Sequence, residues 1–460
     1  MLEVVNPERE KSLSKEFIKG KINRGAINMT RRVTFTLALI LLLSVAVWAG
    51  PKIEVWEVGL ANETISIIKD LIAQDFTPKT GIEVSISVFP WEGMFNKVLL
   101  AMASNSTPDI IAGAPDHLVE YGVRSGVLDL KENFGAARVQ AVEKKLYPGT
   151  TRALNFRGNT FGFVENAGVI VGYYRTDILR DLGMAIPKTW NDLHAIQPKL
   201  KARNMSAGWG YGGINGGPEW GSYLMMKQNN GSWVDGETYK SKLLEDNSVQ
   251  GFKNYVELYT KHGLHQEGIS FQMFKTGEWP VLMDISAFYA NVYLAAPELS
   301  GKWQVGLIPG TVRQDGSISH ESFMGGSTLG IAKNAKNKEA AFKYLEWYLS
   351  DEVQSQLVKL VPEKIKGAMI FSGNMAATKS LPIPDNDKQM FYEQLNVSNA
   401  FSYFPGGSAV QRELNFAVHN VLQKKIAPEE ALKIAAKNTE QELSRKQKEY
   451  QRYIDKLAKK

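Results

Sequence analysis

Between residues 53 and 112 the apolar pattern changes period four times, and that alternation constrains the fold more than any other feature of the chain. Ile53 to Val58 reads as a short apolar strand. Asn62 is placed to cap a helix whose apolar face is Ile65, Ile68, Ile72 and Phe76, and Thr80-Gly81 ends it. Ile82, Val84, Ile86 and Val88 then alternate with Glu83, Ser85 and Ser87, a period-two strand. Phe95, Val98, Leu99 and Met102 fall on one face of a second helix, which Pro108-Asp109 breaks before the strand Ile110-Ile111-Ala112. A β-α-β-α-β run of this kind calls for parallel strands joined by helical crossovers of one hand. Ligands in such sheets sit outside the carboxyl ends of the strands. Those ends are Val58-Gly59, Pro90-Trp91 and Ala114-Pro115-Asp116-His117, which places Trp91, Asp116 and His117 on one expected rim. Each alone would pass for a loop residue, but together they suit a pocket, which combines a few polar groups with aromatic ones.

Upstream, Met29-Thr-Arg-Arg precedes the apolar run Val33–Val47 and then Trp48-Ala49-Gly50. A basic, then apolar, then small-residue order is that of a cleaved secretory signal peptide over 29–50. The run is shorter than the roughly 20 residues a spanning helix needs, which disfavours the alternative of a membrane anchor. Residues 1–28 then have no role in export, and an overcalled start codon accounts for them. The chain contains no cysteine, so disulfides, a thiol nucleophile and a lipid-modified cysteine after the leader are not expected. The protein is therefore expected to be periplasmic or extracellular and not lipid-anchored.

Removal of 50 of the 460 residues leaves a length suited to two or three domains. Residues 1–50 hold eight Lys and Arg against four Glu, so most of the net charge of +6 belongs to them. The nearly neutral remainder lacks the concentrated basic face of a nucleic-acid binder. The six His form no His-x-x-x-His pair and no loop has calcium-ligand spacing, so no metal or other cofactor is expected.

A second α/β block begins near residue 167. Val169–Tyr174 is a strand, and Thr189 with Asp192 resembles a capping box. Trp209–Gly213 leads into a Gly-rich loop that ends in Glu219-Trp220 and lacks the Gly-Lys-Ser/Thr of a phosphate loop. The strand Pro280–Asp284 lies between helices near 248–262 and 287–297, and ends in Asp284, Ser286, Phe288 and Tyr289. Asn337 caps a helix burying Ala341, Tyr344, Leu345 and Tyr348, and Ser350-Asp351 starts another. The last sixty residues read as helical. Beyond about residue 440 the Lys/Glu/Gln composition leaves little to bury, and a solvated, fraying end is expected.

Four stretches, in order, resemble the family 1 extracellular solute-binding proteins of ABC importers, nearest the maltose and maltodextrin binders. They are Asp75-Phe76-Thr77-Pro78-Lys79-Thr80-Gly81-Ile82-Glu83-Val84, then Pro108-Asp109-Ile110-Ile111 through Leu128, then Pro187-Lys188-Thr189-Trp190-Asn191-Asp192-Leu193, and then Gly325-Gly326-Ser327-Thr328-Leu329-Gly330-Ile331 with Asn337–Leu345. The resemblance implies an α/β, two-lobe periplasmic binding protein fold. Each lobe would be a mostly parallel sheet flanked by helices, with the ligand cleft between lobes. It places one lobe at 51–165 plus 308–370 and the other at 166–307 plus 371–460, closing by a hinge. It implies a monomeric, non-catalytic protein that captures a carbohydrate or polyol and delivers it to permease subunits and, through them, to ATPase subunits.

Carried over residue by residue, the resemblance makes Asp116 a hydroxyl acceptor and puts Glu165 and Asn166 at the first crossing. Glu219 and Trp220 supply an acid and an indole, and Phe288 and Tyr289 fall where relatives carry stacking aromatics, after the strand that ends in Asp284. Gly326 joins the list, and Tyr403 and Phe404 precede the C-terminal helix. Such a set suits a sugar, whose C–H face stacks on aromatic rings while carboxylates hold its hydroxyls. Two departures argue against maltose itself: Val58-Gly59-Leu60-Ala61 replaces polar contacts, and Ala112-Gly113 replaces an aromatic platform. Two alternatives stay open. One is an exported glycoside hydrolase using Asp116, Glu165 and Glu219. The other is the same fold holding a polyamine or another non-sugar solute.

Overall fold

In chain order, β1 (Lys52–Val58) leads through α1 (Asn62–Leu71) to β2 (Glu83–Phe89), then α2 (Met94–Ala103), β3 (Ile110–Gly113) and α3 (Pro115–Val123). The chain continues as β4 (Phe163–Val164), β5 (Gly168–Tyr174), α4 (Trp190–Lys201), β6 (Ala207–Trp209), α5 (Pro218–Gln228) and α6 (Asp246–Thr260). Next come β7 (Val281–Ile285), α7 (Phe288–Ala295), β8 (Gln304–Gly306), β9 (Met324–Gly325) and β10 (Thr328–Ile331). It ends with α8 (Lys338–Tyr348), α9 (Asp351–Lys364), α10 (Asp385–Val397), α11 (Gly407–Leu422) and α12 (Pro428–Ala458). These elements come from a computed structural model, which describes residues 50–209, 218–235, 238–265, 267–400 and 406–458. The leader expected at 29–50 lies outside the described residues apart from Gly50. Pro51–Lys460 form a compact unit of their own.

The opening alternation folds as its periods dictate. Ile65, Ile68, Ile72 and Phe76 are all buried, and Gly81, in the left-handed region, ends the helix after Thr80. β1 pairs in parallel with β2 over seven residues, from Lys52 opposite Glu83 to Val58 opposite Phe89, and in parallel with β3 on its other side. The Pro-Asp-Ile motif has a structural purpose. Asp109 accepts from Glu54 N at 3.0 Å, Lys336 N at 2.7 Å and Asn337 N at 3.2 Å, tying β1 to the start of α8. Thr189 and Asp192 form the capping box of α4, with bonds of 3.1 and 2.9 Å.

The first sheet runs β2-β1-β3-β10-β4 and the second β8-β5-β7-β6, with β9 also on β5. Most strands of each sheet run in one direction, as expected, and one strand in each runs against them, β10 in the first sheet and β5 in the second. β10 is antiparallel to β3 and β4, and among the described residues of the second sheet only the β7–β6 pairing is parallel. The cause is the way the chain passes between sheets: β4 runs almost directly into β5, and β9 almost directly into β10. Strands that arrive from the other sheet meet their neighbours head to tail. Three such segments lie side by side. Glu165 N donates to Ser327 O at 3.1 Å, Ala167 N to Phe371 O at 2.9 Å and Gly373 N to Glu165 O at 2.9 Å.

The end of the chain also differs from its expectation. α12 runs 31 residues, and Leu443 and Tyr450 are buried. Near its start, Glu429 pairs with Lys253 of α6 at 2.8 Å. Some 30 Å further along, at 1.5 Å per residue, it docks on α3. There Arg124 donates to Tyr450 Oη at 2.5 Å and Glu449 at 3.2 Å, Lys446 lies 3.6 Å from Glu120, and Tyr450 Oη donates to Glu120. One ring buried against another helix anchors what composition alone marks as solvated.

Candidate functional site

The carboxyl ends of β1, β2 and β3 open onto a cavity of about 620 Å³, within the usual range for small-molecule sites. Its wall includes Val58, Gly59, Leu60, Trp91, Asp116, Glu165, Asn166, Trp220, Phe323 and Gly326, closed by Ile285–Ala287, Met369–Ser372 and Gln411 of α11.

Gly59 shapes this rim. Its backbone is left-handed (φ 69°), which favours glycine, and a Cβ built on it would overlap Trp91 Nε1. The indole therefore lies directly on the peptide that leaves β1, and 42% of Trp91 stays exposed. On another wall, half-buried Trp220 meets Phe323 with ring centroids 4.2 Å apart and 35° between planes. Asp116 enters from the first turn of α3, where Ser408 Oγ donates to its Oδ2 at 2.9 Å. Gly326 leaves room for nothing larger, because a Cβ there would run into the carbonyl of Asn166.

Glu165 forms the floor. It is buried, accepts from Ser327 Oγ, and accepts from Tyr348 Oη at 3.1 Å. Asn166 Nδ2 donates to that same Ser327 Oγ, while Ser327 N donates to Asn166 Oδ1 at 3.0 Å. Burial raises the Glu165 pKa above the ordinary carboxylate range, although donors from Ser327 and Tyr348 pull it down. Among the described lining residues, Asp116 and Glu165 are acidic and none is Lys, Arg or His.

Trp91, Asp116, Glu165, Asn166, Trp220 and Gly326 thus meet around one cavity. The other expected residues lie elsewhere. His117, beside the rim, turns toward α2, its ring 4.9 Å from Phe95, and its Nδ1 accepts from Ala114 N at 3.4 Å. Glu219 is buried at the start of α5, where its N–H donates to Asn415 Oδ1 at 3.0 Å. Asp284 is buried within β7, and its Oδ1 accepts from Ile285 N at 2.7 Å. Phe288 and Tyr289 open α7 with their rings turned into the core. Phe288 packs at 4.9 Å on Tyr173, and Tyr289 donates to Asp387 of α10 at 2.5 Å. Packing of α7 between Tyr173 of β5 and Asp387 and Phe391 of α10 draws both rings inward, which is why they miss the cleft. Tyr403 and Phe404 lie outside the described residues.

The sequence reading missed Gly59, Phe323, Tyr348, Gln354, Phe371 and Gln411 as wall residues. Gly59 carried a signal, since glycine directly after a strand marks a turn or a close approach. Tyr348 sat on a helix face read as core, and nothing local marked Gln354.

Two α/β sheets joined by three adjacent chain segments, with a cavity beside the crossings, define a two-lobe binding protein fold. Residues 61–355 match the bacterial extracellular solute-binding protein family, and the chain belongs to that family. Among curated relatives, the diacetylchitobiose binding protein DasA of Streptomyces coelicolor is 23% identical over 333 residues, 68% of this chain and 73% of that one. The sugar-binding protein MalE of Xanthomonas citri superposes with a TM-score of 0.74 at 18% identity, over 88% of this chain and 99% of its own. An ABC transporter solute binding protein of Thermotoga lettingae, bound with α-D-tagatose, gives a TM-score of 0.67 at 20% identity, over 86% of this chain and 100% of its own. These relatives are binding proteins and not enzymes.

Proposed function

We propose that this chain captures a carbohydrate in the 620 Å³ cavity and delivers it to the permease of an ABC importer, acting outside the cytoplasm after removal of a leader at 29–50. The observation that carries the reading is the cavity wall: exposed Trp91 and the Trp220–Phe323 pair beside Asp116 and Glu165, with no basic side chain among its described residues. Indole and phenyl faces suit the C–H face of a sugar ring, and carboxylates accept its hydroxyls. An anionic solute would meet uncompensated negative charge. Diacetylchitobiose, named for the Streptomyces relative, and α-D-tagatose, bound by the Thermotoga protein, agree with this class and span one to two rings. Trp91, Asp116, Asn166 and Trp220 are the side chains proposed to touch the ligand, over a floor set by Glu165.

The acidic, aromatic wall also favours a second reading, a cationic solute such as a polyamine. One experiment separates the two. Thermal unfolding of the chain from Pro51 is followed with mono-, di- and oligosaccharides, polyols and spermidine. Ligand at about 100 times its Kd adds about 2.7 kcal/mol to the folded state. A rise with one sugar class, with that sugar recovered intact, supports the proposal. A rise with spermidine alone moves it to the second reading, and hydrolysis of a sugar returns the enzyme.

A further inference from the structure

Beneath the cavity floor, Glu57 of β1 has no exposed surface, and its carboxyl meets that of Glu165 within hydrogen-bond reach. Neither Glu57 oxygen finds an N–H or O–H donor, and the nearby Val58 N–H does not reach hydrogen-bond geometry. The titratable groups facing it are Glu165 from the crossing and Tyr344 and Tyr348 from α8, whose rings stack 5.5 Å apart. No Lys, Arg or His faces it among the described residues. Two ionised carboxylates cannot lie together in such a place without a cation, because neither solvent nor a countercharge offsets their repulsion. One proton between them removes the conflict: it turns the orphaned Glu57 oxygen into a donor and Glu165 into the acceptor.

We propose that Glu57 is a carboxylic acid that donates to Glu165, holding one negative charge at the cavity floor and acting as a positioning residue for the ligand-facing carboxylate. Glu165 then has three donors, from Glu57, Ser327 and Tyr348, which fix its orientation beneath the ligand. Burial, followed by repulsion from Glu165, raises the Glu57 pKa well above the ordinary value, in keeping with this arrangement. The ligand-facing part of the proposal rests on the function proposed above; the state of Glu57 does not.

The test compares the wild type with Glu57→Gln, which keeps the size and a donor but cannot ionise, and with Glu57→Leu, which has no donor. The sign of the pH effect follows from linkage. A carboxyl whose pKa is raised on folding stabilises the fold below its unfolded value, and that contribution is lost as pH rises toward the folded value. Over that window the folding constant of the Gln variant should gain on wild type by about tenfold per pH unit. Difference infrared spectra, wild type minus Glu57→Gln, should show a protonated-carboxyl stretch at pH 7. For a sugar identified in the panel, Glu57→Gln should stay within about threefold of wild type while Glu57→Leu weakens binding by about tenfold or more, the scale of a hydrogen bond to a charged group. A pH-independent stability difference between wild type and Glu57→Gln, without the infrared band, overturns the proposal; so does equal sugar affinity of the Leu and Gln variants. If no sugar binds, the function proposed above fails, and the pH slope and the infrared band still decide Glu57.

Discussion

Replacing Tyr450 by alanine should release the last four turns of α12 from α3 while leaving the rest of the helix in place. Tyr450 is only 1% exposed, and truncating a buried aromatic residue costs about 3–5 kcal/mol. Little else among the described residues holds the segment. The Arg124–Glu449 and Lys446–Glu120 pairs are partly solvated and together contribute about 1–2 kcal/mol at most. A free helical end of this length is marginal in water. The loss therefore exceeds what remains, and the segment past Leu443 should undock. Residues 428–440 should not, because Leu432, Ala435 and Ala436 are buried. Hydrogen exchange read by mass spectrometry should show protection over 444–458 falling by about a hundredfold, the equivalent of roughly 3 kcal/mol. Tyr450→Phe keeps the ring and loses the hydroxyl bonds to Glu120 and Arg124, so it should fall only about tenfold. Unchanged protection in Tyr450→Ala would refute the reasoning, since it would mean that the charged residues carry the docking.

Gly59→Ala places a Cβ where the Trp91 indole lies and forces a left-handed backbone on alanine, a cost of about 1–2 kcal/mol. It should lower the melting temperature and weaken ligand binding as much as Trp91→Ala does; a melting shift with unchanged affinity would remove Trp91 from the ligand surface. His194 lies parallel to His262 with ring centroids 3.5 Å apart, and burial, followed by repulsion from His262, pushes its pKa down to about 4. The unfolded chain binds the proton more tightly, so this stability is present above about pH 6.5 and is lost as pH falls toward 4. His194→Phe should show a shallower fall in melting temperature between pH 7 and 4.5, and parallel curves for the two proteins would count against it. A neutral sugar leaves the Glu57 proton in place, whereas an ammonium group at Glu165 favours its release. Calorimetric titration in buffers of different ionisation enthalpy should therefore show no proton release for a sugar; release of about one proton would indicate a cationic ligand.

The rim of the site was legible where one local pattern set both position and direction. The period changes between Ile53 and Ala112 located three strand ends, and the structure places Trp91 and Asp116 at two of them, on the cavity wall. His117 follows Asp116 by one residue, yet one step along a helix turns a side chain by about 100°, which carried it to Phe95 instead. The floor was not legible. Glu165 meets Tyr348 across 183 residues and Ser327 across 162, and no local pattern encodes which distant segments come to lie together. Phe288 and Tyr289 show the limit of resemblance: it located a strand end, but which helix face is buried depends on what packs above it, here Asp387 and Phe391 of α10. Tyr450 failed for a related reason. Composition averages over a helix, while docking is decided by one side chain.

α3 joins these observations mechanically. Its first turn presents Asp116 to the cavity, where Ser408 of α11 also reaches it, and its last turn holds Arg124 and Glu120 against Tyr450. α11 and α12 pack along each other, so the two contacts with α3 belong to one assembly rather than two separate attachments. A short helix held at both ends has little freedom to tilt. Asp116 is thus fixed from two sides, by the strand that α3 follows and by the helices that grip it. Undocking α12 removes one of those grips and leaves Ser408 as the remaining bond from α11 to Asp116. Loss of ligand affinity in Tyr450→Ala would then mark α12 as part of the frame that aims Asp116. Unchanged affinity with a released helix would mean that β3 and the first turn of α3 are sufficient to aim it.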